Sequence, residues 1–126
     1  MKQPVNTKDA PAAIGPYSQG VRIGNMVFVS GQTPVDPATG KLVEGDAGVQ
    51  AAQCCRNVCA VLKAAGLGVE HVVKTTVFIT DMAHFPLVNE AYKQTFTEPY
   101  PARSCVAAKA LPLGCLVEIE VIAATA

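Results

Sequence analysis

Charged side chains are scarce in this sequence: Asp, Glu, Lys and Arg make up 16% of its 126 residues, whereas they are about a quarter of a typical globular protein. The ten basic and ten acidic residues cancel, no basic run is present, and tryptophan is absent. Because RNA binding usually requires a basic patch with exposed aromatic rings, the sequence argues against nucleic acid as a partner. Half of the residues are hydrophobic, so we expect further copies of the chain to cover part of its surface.

Long apolar segments and a secretion signal are also missing. No window approaches the length of a membrane span, and Met1–Asn6 lacks the apolar core of a signal peptide. We therefore expect a cytoplasmic protein with no membrane partner.

The sequence has only two histidines and an odd number of cysteines, five, which makes a metal site and a set of disulfide bonds less expected. His71 and His84 lie in unrelated segments, and the five cysteines form no second cluster at zinc-like spacing. Structural zinc needs four clustered ligands, so no metal site is expected. Reduced thiols are the default for a chain without a secretion signal. We interpret Cys54, Cys55 and Cys59 as small helix residues that pack on a sheet, rather than as redox groups.

The first two thirds of the chain alternate strand and helix signals. Gly24-Asn25, between apolar runs at 18–23 and 26–30, predicts a β-hairpin. A turn at 36–40 precedes a short edge strand at 41–43. Residues 48–65 repeat apolar side chains every three or four positions, which predicts a helix capped by Asp46 or a neighbour and ended by Gly66. The β-branched run 72–80 predicts a central strand.

A second, shorter helix is predicted after this strand, with Asp81 as its N-cap and Pro86 in its first turn. Asn89 lies on the buried side of this helix, where an amide needs a hydrogen-bond partner from the backbone or from a ligand. The rest of the buried stripe we interpret as core: Phe85, Val88, Tyr92 and Phe96.

The most informative segment is Pro101-Ala102-Arg103-Ser104-Cys105-Val106 near the end of the chain. The proline favours an extended backbone, and residues 104–108 predict a short buried strand. A turn at 111–114 leads to an alternating run at 115–123, which is expected to be its antiparallel neighbour.

Two carboxylates lie on the polar side of this last strand. The apolar positions 117, 119 and 121 share one face, which leaves Glu118 and Glu120 on the other. Arg103 and Glu118 are therefore expected to meet at a pocket. A structural ion pair on the sheet face would use the same residues, and the residues alone leave both interpretations open.

These elements predict one domain over residues 1–126 with an α+β fold. Two helices on one face of a mixed sheet form a two-layer sandwich. The other face of the sheet has no helix to cover it although its strands are apolar, so it is expected to pack against other subunits.

Four short motifs, in register over nearly the whole chain, resemble the Rid/YjgF family of imine and enamine deaminases, also called the L-PSP endoribonuclease family. They are Ala12-Ala13-Ile14-Gly15-Pro16-Tyr17-Ser18-Gln19, Val29-Ser30-Gly31-Gln32, Lys74-Thr75-Thr76-Val77-Phe78, and Pro101-Ala102-Arg103-Ser104 followed by Val117-Glu118-Ile119-Glu120.

The resemblance implies a chorismate-mutase-like fold in a homotrimer whose sheets form a central barrel, with sites in the clefts between subunits. It implies hydrolysis of reactive 2-imino acids and their enamine tautomers, such as 2-iminopropionate and 2-aminoacrylate, to 2-keto acids and ammonia. It implies neither a cofactor nor a metal.

The resemblance also implies roles for particular residues. Arg103 would bind the substrate carboxylate, and Glu118 would lie near the attacking water with Glu120 as its structural neighbour. The remaining residues that would line the substrate pocket are Tyr17, Ser30, Gly31, Asn89, Ser104 and Cys105.

The chemistry fits these residue types. Arg offers a planar, bidentate donor fork for a carboxylate, and one carboxylate suffices to accept a proton from water. Cys105 is expected to be a pocket wall rather than a nucleophile, because no His lies at an obvious partnering position.

Two other functions remain open from the sequence. One is the translation inhibition with ribonuclease activity described for some relatives, which the neutral charge disfavours. The other is a non-catalytic trimer that binds small metabolites or acts like a chaperone. Arg103 would suit an anionic ligand in that role, but Glu118 would repel it.

Overall fold

A mixed, six-stranded sheet and two helices dominate the computed structural model, which describes residues 1–126. The sheet strands follow the order β1-β2-β3-β8-β6-β7, and β4 and β5 form a separate two-stranded ribbon. All neighbours are antiparallel except β6 and β7. The elements are β1 (Gln3–Val5), β2 (Gly20–Ile23), β3 (Met26–Gln32), β4 (Val35–Asp36), β5 (Lys41–Leu42), α1 (Ala47–Ala64), β6 (Val72–Ile79), α2 (Phe85–Tyr92), β7 (Ala102–Ala107) and β8 (Val117–Ala124).

The predicted hairpin and first helix are confirmed. Gly24 has φ 56° and turns the chain between β2 and β3, a conformation that glycine adopts without strain. The Asp46 carboxylate accepts a hydrogen bond from the backbone N–H of Val49 and caps α1. Gly66 ends the helix region with φ 77°.

The second helix is shorter than predicted, because a separate turn precedes it. Asp81 caps a 3₁₀ turn at Met82–His84 rather than α2 itself, and Pro86 lies in the first turn of α2. Val88, Tyr92 and Phe96 are buried, as predicted for the core stripe, but Phe96 lies beyond the helix end.

Both helices pack on the same face of the sheet, which confirms the predicted α+β class. One cluster of buried apolar side chains fills the space between the layers; Val58 and Leu62 of α1, Val88 of α2, Val77 of β6 and Ile119 of β8 belong to it. The alternation predicted for the last strand is confirmed, since positions 117, 119, 121 and 123 are buried and those between them are partly exposed.

The predicted position of the Arg103 strand is wrong. β7 pairs in parallel with β6, not with β8, and β8 lies between β3 and β6. β6, α2 and β7 form a strand–helix–strand unit, a connection that joins parallel neighbours. As an edge strand β7 is mostly exposed instead of buried, whereas β8 takes the interior place that its buried face requires.

The face of the sheet away from the helices has no covering layer within the chain. Phe28 of β3 and Val106 of β7 are more than two-fifths exposed there, beside the half-buried Phe78 and Ile122. No helix is both long enough and apolar enough to cross a membrane.

Candidate functional site

The sequence-predicted site residues fall into two groups on opposite faces of the sheet. Arg103 lies opposite Thr75 in the β6–β7 pair, and Thr75 lies opposite Val121. All three side chains therefore lie on the helix-covered face of the sheet. Glu118 lies opposite Phe78 on the uncovered face. The expected meeting of Arg103 and Glu118 on neighbouring strands is therefore wrong for one chain, because β6 separates their strands and their side chains diverge.

Arg103 is held in place by α2. Its Nη1 donates a hydrogen bond of 2.7 Å to Asn89 Oδ1. Its guanidinium carbon lies 4.8 Å from the centre of the Tyr92 ring and 5.3 Å from that of Phe85, distances at which a cation is attracted to an aromatic face. The Tyr92 hydroxyl shares a buried 2.8 Å hydrogen bond with Thr75 Oγ1, which fixes the ring beneath the cation.

Helical spacing explains this arrangement. Phe85, Asn89 and Tyr92 are separated by four and three residues on α2, so their side chains share the side that faces β7. The expected partner of Asn89 was a backbone group or a ligand on the buried side of the helix, and within the chain this is wrong: Asn89 is partly exposed, and its partner is the side chain of Arg103.

The guanidinium has no carboxylate partner in the chain. The only ion pairs within 4.0 Å are His71–Glu70 and Lys93–Glu90, so the alternative of a structural ion pair between Arg103 and Glu118 is wrong within one chain. Arg103 is exposed and opens into a cleft of about 470 Å³. The cleft is lined by Asn89, Tyr92, Lys93, Tyr100, Pro101 and Arg103.

The second group surrounds Glu118. Tyr17, Ser30, Gly31 and Glu118 line one cleft of about 500 Å³, so the structure brings four of the predicted residues together. The register between β3 and β8 shifts between Val29 and Gln32, and this irregularity places Gly31 against the carboxylate. A Cβ at Gly31 would lie 2.1 Å from Glu118 Oε2, so the close approach depends on the missing side chain.

The environment of Glu118 makes ionisation of its carboxyl less favourable than in water. Burial raises the pKa of this half-buried carboxyl above its usual value, and the negative charge of nearby Glu120 raises that pKa further. A carboxylate with a raised pKa is a stronger proton acceptor once ionised, which suits a group that must take a proton from water.

Ser104 and Cys105 follow Arg103 but face opposite ways. Ser104 lies opposite Thr76 on the uncovered face, and Cys105 lies opposite Val77 beside the core. Burial raises the pKa of the Cys105 thiol, while Arg103 lowers it by a smaller amount. The thiol therefore stays protonated at neutral pH, which agrees with a wall rather than a nucleophile.

The thiols of α1 are not activated either. Burial raises the pKa of Cys55 to about 12 and that of Cys54 well above its usual value. These values agree with the interpretation that they pack the helix on the sheet. No three His, Cys, Asp or Glu side chains converge in a way that could hold a metal ion.

Several residues at these clefts were not predicted from the sequence, among them Lys93 and Tyr100 in the Arg103 cleft and Thr33 and Pro112 in the Glu118 cleft. The sequence predicts Tyr92 and Phe85 as core residues only, yet both also flank the Arg103 guanidinium. Their helical spacing from Asn89 is the sequence feature that could have predicted this second role. Ile14 and Leu113 line the Glu118 cleft. In the sequence, Ile14 belongs to one of the four motifs, and Leu113 carries no signal beyond its place in a predicted turn.

Comparison with known proteins gives a consistent result. A family model described as endoribonuclease L-PSP matches residues 7–125. The chain is 52% identical over 126 residues to the 2-iminobutanoate/2-iminopropanoate deaminase of Salmonella typhimurium, covering 98% of both chains. It is 49% identical over 122 residues to the RutC family protein y4sK of Sinorhizobium fredii, covering 97% of both. The crystal structure of Escherichia coli TdcF with bound serine superposes with a TM-score of 0.93 at 49% identity, over 98% of this chain and 99% of that one.

Proposed function

This chain belongs to the Rid/YjgF family, to which the endoribonuclease L-PSP model corresponds, and we propose that it hydrolyses 2-imino acids to 2-keto acids and ammonia. The relatives named as deaminases support the general activity. The substrate type is 2-iminopropionate with its tautomer 2-aminoacrylate. The observation that carries the proposal is Arg103, an exposed guanidinium fixed by Asn89 and Tyr92 with no carboxylate partner in the chain.

Arg103 binds the substrate carboxylate in this proposal. Asn89 occupies one donor of the guanidinium, and the remaining N–H groups suffice for a bidentate contact with the substrate. The rings of Tyr92 and Phe85 restrict the guanidinium plane, which lowers the entropy lost when the substrate binds. Tyr17, Ser30, Gly31, Ser104 and Cys105 would complete the pocket.

Glu118 activates the water. The water oxygen attacks the imine carbon while Glu118 accepts one of the water protons, which yields a tetrahedral carbinolamine. Glu118 passes this proton to the nitrogen, and the remaining hydroxyl proton follows by way of Glu118 as the C–N bond breaks, so that ammonia leaves as the carbonyl of the 2-keto acid forms. This sequence consumes one water and needs no redox step and no covalent bond to the protein.

A site that uses both groups requires two copies of the chain. The side chains of Arg103 and Glu118 project from opposite faces of one sheet. The uncovered face carries exposed Phe28 and Val106. We therefore propose a homotrimer with a chorismate-mutase-like barrel at its centre, in which Arg103 of one subunit faces Glu118 of its neighbour. The low charge of the sequence supports such an assembly.

The test couples an amino-acid oxidase to the purified protein and follows decay of the imine. Arg103→Ala is expected to lower kcat/KM by at least about 30-fold, the loss that follows removal of one partner of a charged hydrogen-bonded pair. Arg56→Ala is the matched control, because Arg56 is exposed on α1 and hydrogen-bonds only to Gln53. Circular dichroism and light scattering establish that both variants keep fold and assembly.

Equal decay with wild type, Arg103→Ala and no protein would refute the deaminase. Binding of the 2-keto acid without turnover would then favour the non-catalytic alternative. Cleavage of RNA that survives Arg103→Ala would favour the ribonuclease.

A further inference from the structure

The β1–β2 loop (residues 6–19) brings Tyr17 to the Glu118 cleft. It leaves the sheet after Val5 and re-enters it at Gly20, and these two residues are paired across β1 and β2. The two ends of the loop therefore lie side by side, which is typical of compact surface loops that are packed by their own side chains and are frequently functional.

The backbone of this loop makes few hydrogen bonds of its own. From residue 8 to residue 18, the only backbone–backbone hydrogen bond joins the Tyr17 N–H to the Gly15 carbonyl, which lies in the same loop. Tyr17 is 52% exposed and does not belong to the core cluster. The position of its ring therefore depends on side chains that hold the two arms of the loop.

Gln19 holds the first arm from the base of the loop. It is 4% exposed, and its Nε2 donates to the carbonyls of Thr7, Ala10 and Pro11 at 3.0, 3.2 and 2.7 Å. Its Oε1 accepts a hydrogen bond of 2.7 Å from the Thr7 N–H. No other group of the chain donates to the carbonyls of Ala10 and Pro11. One amide thus joins the beginning of the loop to its end.

The second arm is attached beside the Glu118 carboxylate. The Ser30 hydroxyl donates a hydrogen bond of 2.6 Å to the Ser18 carbonyl, and the Ser30 N–H donates one of 2.9 Å to the Gln19 carbonyl. Ser30 precedes Gly31, against which the Glu118 carboxylate lies. Gln19 therefore connects the first arm of the loop to the part of β3 that lines the Glu118 cleft.

We propose that Gln19 is a positioning residue that holds Tyr17 at the Glu118 cleft. Its amide does not touch the substrate; it fixes the first arm of the loop, and Tyr17 thereby keeps the position in which it lines the cleft. Only an amide suits this place, because one end of the side chain must donate to carbonyls while the other accepts from an N–H. The inference rests on the proposed function, in which Tyr17 lines the substrate pocket.

Loss of the amide should weaken substrate binding rather than slow the chemical step. Tyr17 moves no proton in the proposed reaction, so a displaced loop removes binding from the ground state and the transition state alike. Such a loss raises KM and leaves kcat unchanged. The apparent affinity falls in proportion to the fraction of molecules whose loop is in place.

The first test measures KM and kcat for an oxidase-generated imine in two variants of Gln19. Gln19→Glu keeps the length of the side chain but removes its N–H donors, and Gln19→Met removes donors and acceptor without adding charge. In both, KM is expected to rise about tenfold, the effect of losing one or two neutral hydrogen bonds, while kcat stays within about twofold of wild type.

Gln53→Glu is the matched control for changing a buried glutamine. Gln53 is 7% exposed and its amide donates within the chain, but it makes no hydrogen bond to the β1–β2 loop. This variant should lose stability and keep the wild-type KM.

The second test follows the loop without turnover. Chymotrypsin cleaves after tyrosine, and Tyr17 is the exposed tyrosine of the loop. Because proteolysis tracks the population of the open form, cleavage after Tyr17, identified by mass spectrometry, should be about tenfold faster in both Gln19 variants than in wild type. Gln53→Glu should be cleaved there at the wild-type rate.

The outcomes separate this inference from the proposed function. A wild-type KM in both Gln19 variants overturns the positioning role and leaves the deaminase intact, and so does unchanged cleavage after Tyr17. A loss of kcat and melting temperature that Gln53→Glu shares shows a general loss of structure and also overturns the positioning role. If wild type hydrolyses the imine no faster than the background, the proposed function fails and the positioning role fails with it.

Discussion

Gly31→Ala is a one-carbon change that should disable Glu118 without unfolding the protein. Gly31 does not lie in the left-handed region, so alanine causes no backbone strain and the effect is purely steric. The added Cβ would lie 2.1 Å from Glu118 Oε2 and 2.8 Å from its Cδ. The carboxylate must therefore move, because neither distance is compatible with normal contact.

The size of the movement sets the expected loss of activity. Carbon and oxygen atoms pack at about 3.5 Å, so Oε2 has to retreat by more than about 1 Å. A misplacement of about 1 Å in a reacting group can cost about 100-fold in rate. Stability should change by less than about 1 kcal/mol, because Glu118 is half-buried and can turn toward solvent without opening a core cavity.

Imine decay and thermal unfolding, measured on the same samples, give the two readouts. Gly31→Ala should lose about 100-fold in kcat/KM while it keeps its melting temperature and its assembly. Gly48→Ala is the matched control, since its added Cβ would approach nothing closer than 3.2 Å, and it should keep full activity. Wild-type activity in Gly31→Ala would show that the position of the Glu118 carboxylate does not limit the reaction, and the role assigned to it would be wrong.

Two further predictions concern pH and stability. Glu120→Gln should move the acid limb of the kcat/KM profile to lower pH, because the Glu120 charge raises the pKa of Glu118 and the proposed reaction uses ionised Glu118. An acid limb at the wild-type pH would mean that another group titrates there. Asn57→Ala should lower the free energy of unfolding, measured in urea, by about 2–4 kcal/mol. The buried Asn57 amide donates to the carbonyls of Thr33 and Val35 and accepts from Gln53. Gln94→Ala, at an exposed position, should change the free energy of unfolding by less than about 0.5 kcal/mol.

The elements with strong local signals were predictable from sequence. The helical period and cap of α1, the Gly24 turn and the alternation of β8 each depend on residues close together in the chain. The partner of β7 was not predictable in that way. Its neighbour in space, β6, is separated from it by α2, and the wrong antiparallel pairing with β8 followed from proximity in sequence.

The candidate site was likewise only partly predictable from the sequence. Arg103 and Glu118 could be proposed from motifs, and the alternation of β8 places Glu118 opposite its buried face. The face of Arg103 depends on the pairing of β7 with β6 and on its register, in which a shift of one residue reverses every side chain. The irregularity between Val29 and Gln32 that brings Gly31 to Glu118, and the left-handed backbone of Leu113, are three-dimensional features with no periodic signature.

Because the side chains of Arg103 and Glu118 project from opposite faces of one sheet, the proposed two-subunit site has a genetic consequence. If each site combines groups from two subunits, an allele that lacks the arginine can still supply an intact carboxylate to a neighbour, and the reverse holds for an allele that lacks the carboxylate. Two alleles that are each inactive should then complement one another when expressed in the same cell. Random mixing of the two chains would give about one quarter of the sites both intact groups, whereas sites confined to single chains would stay inactive in every mixture.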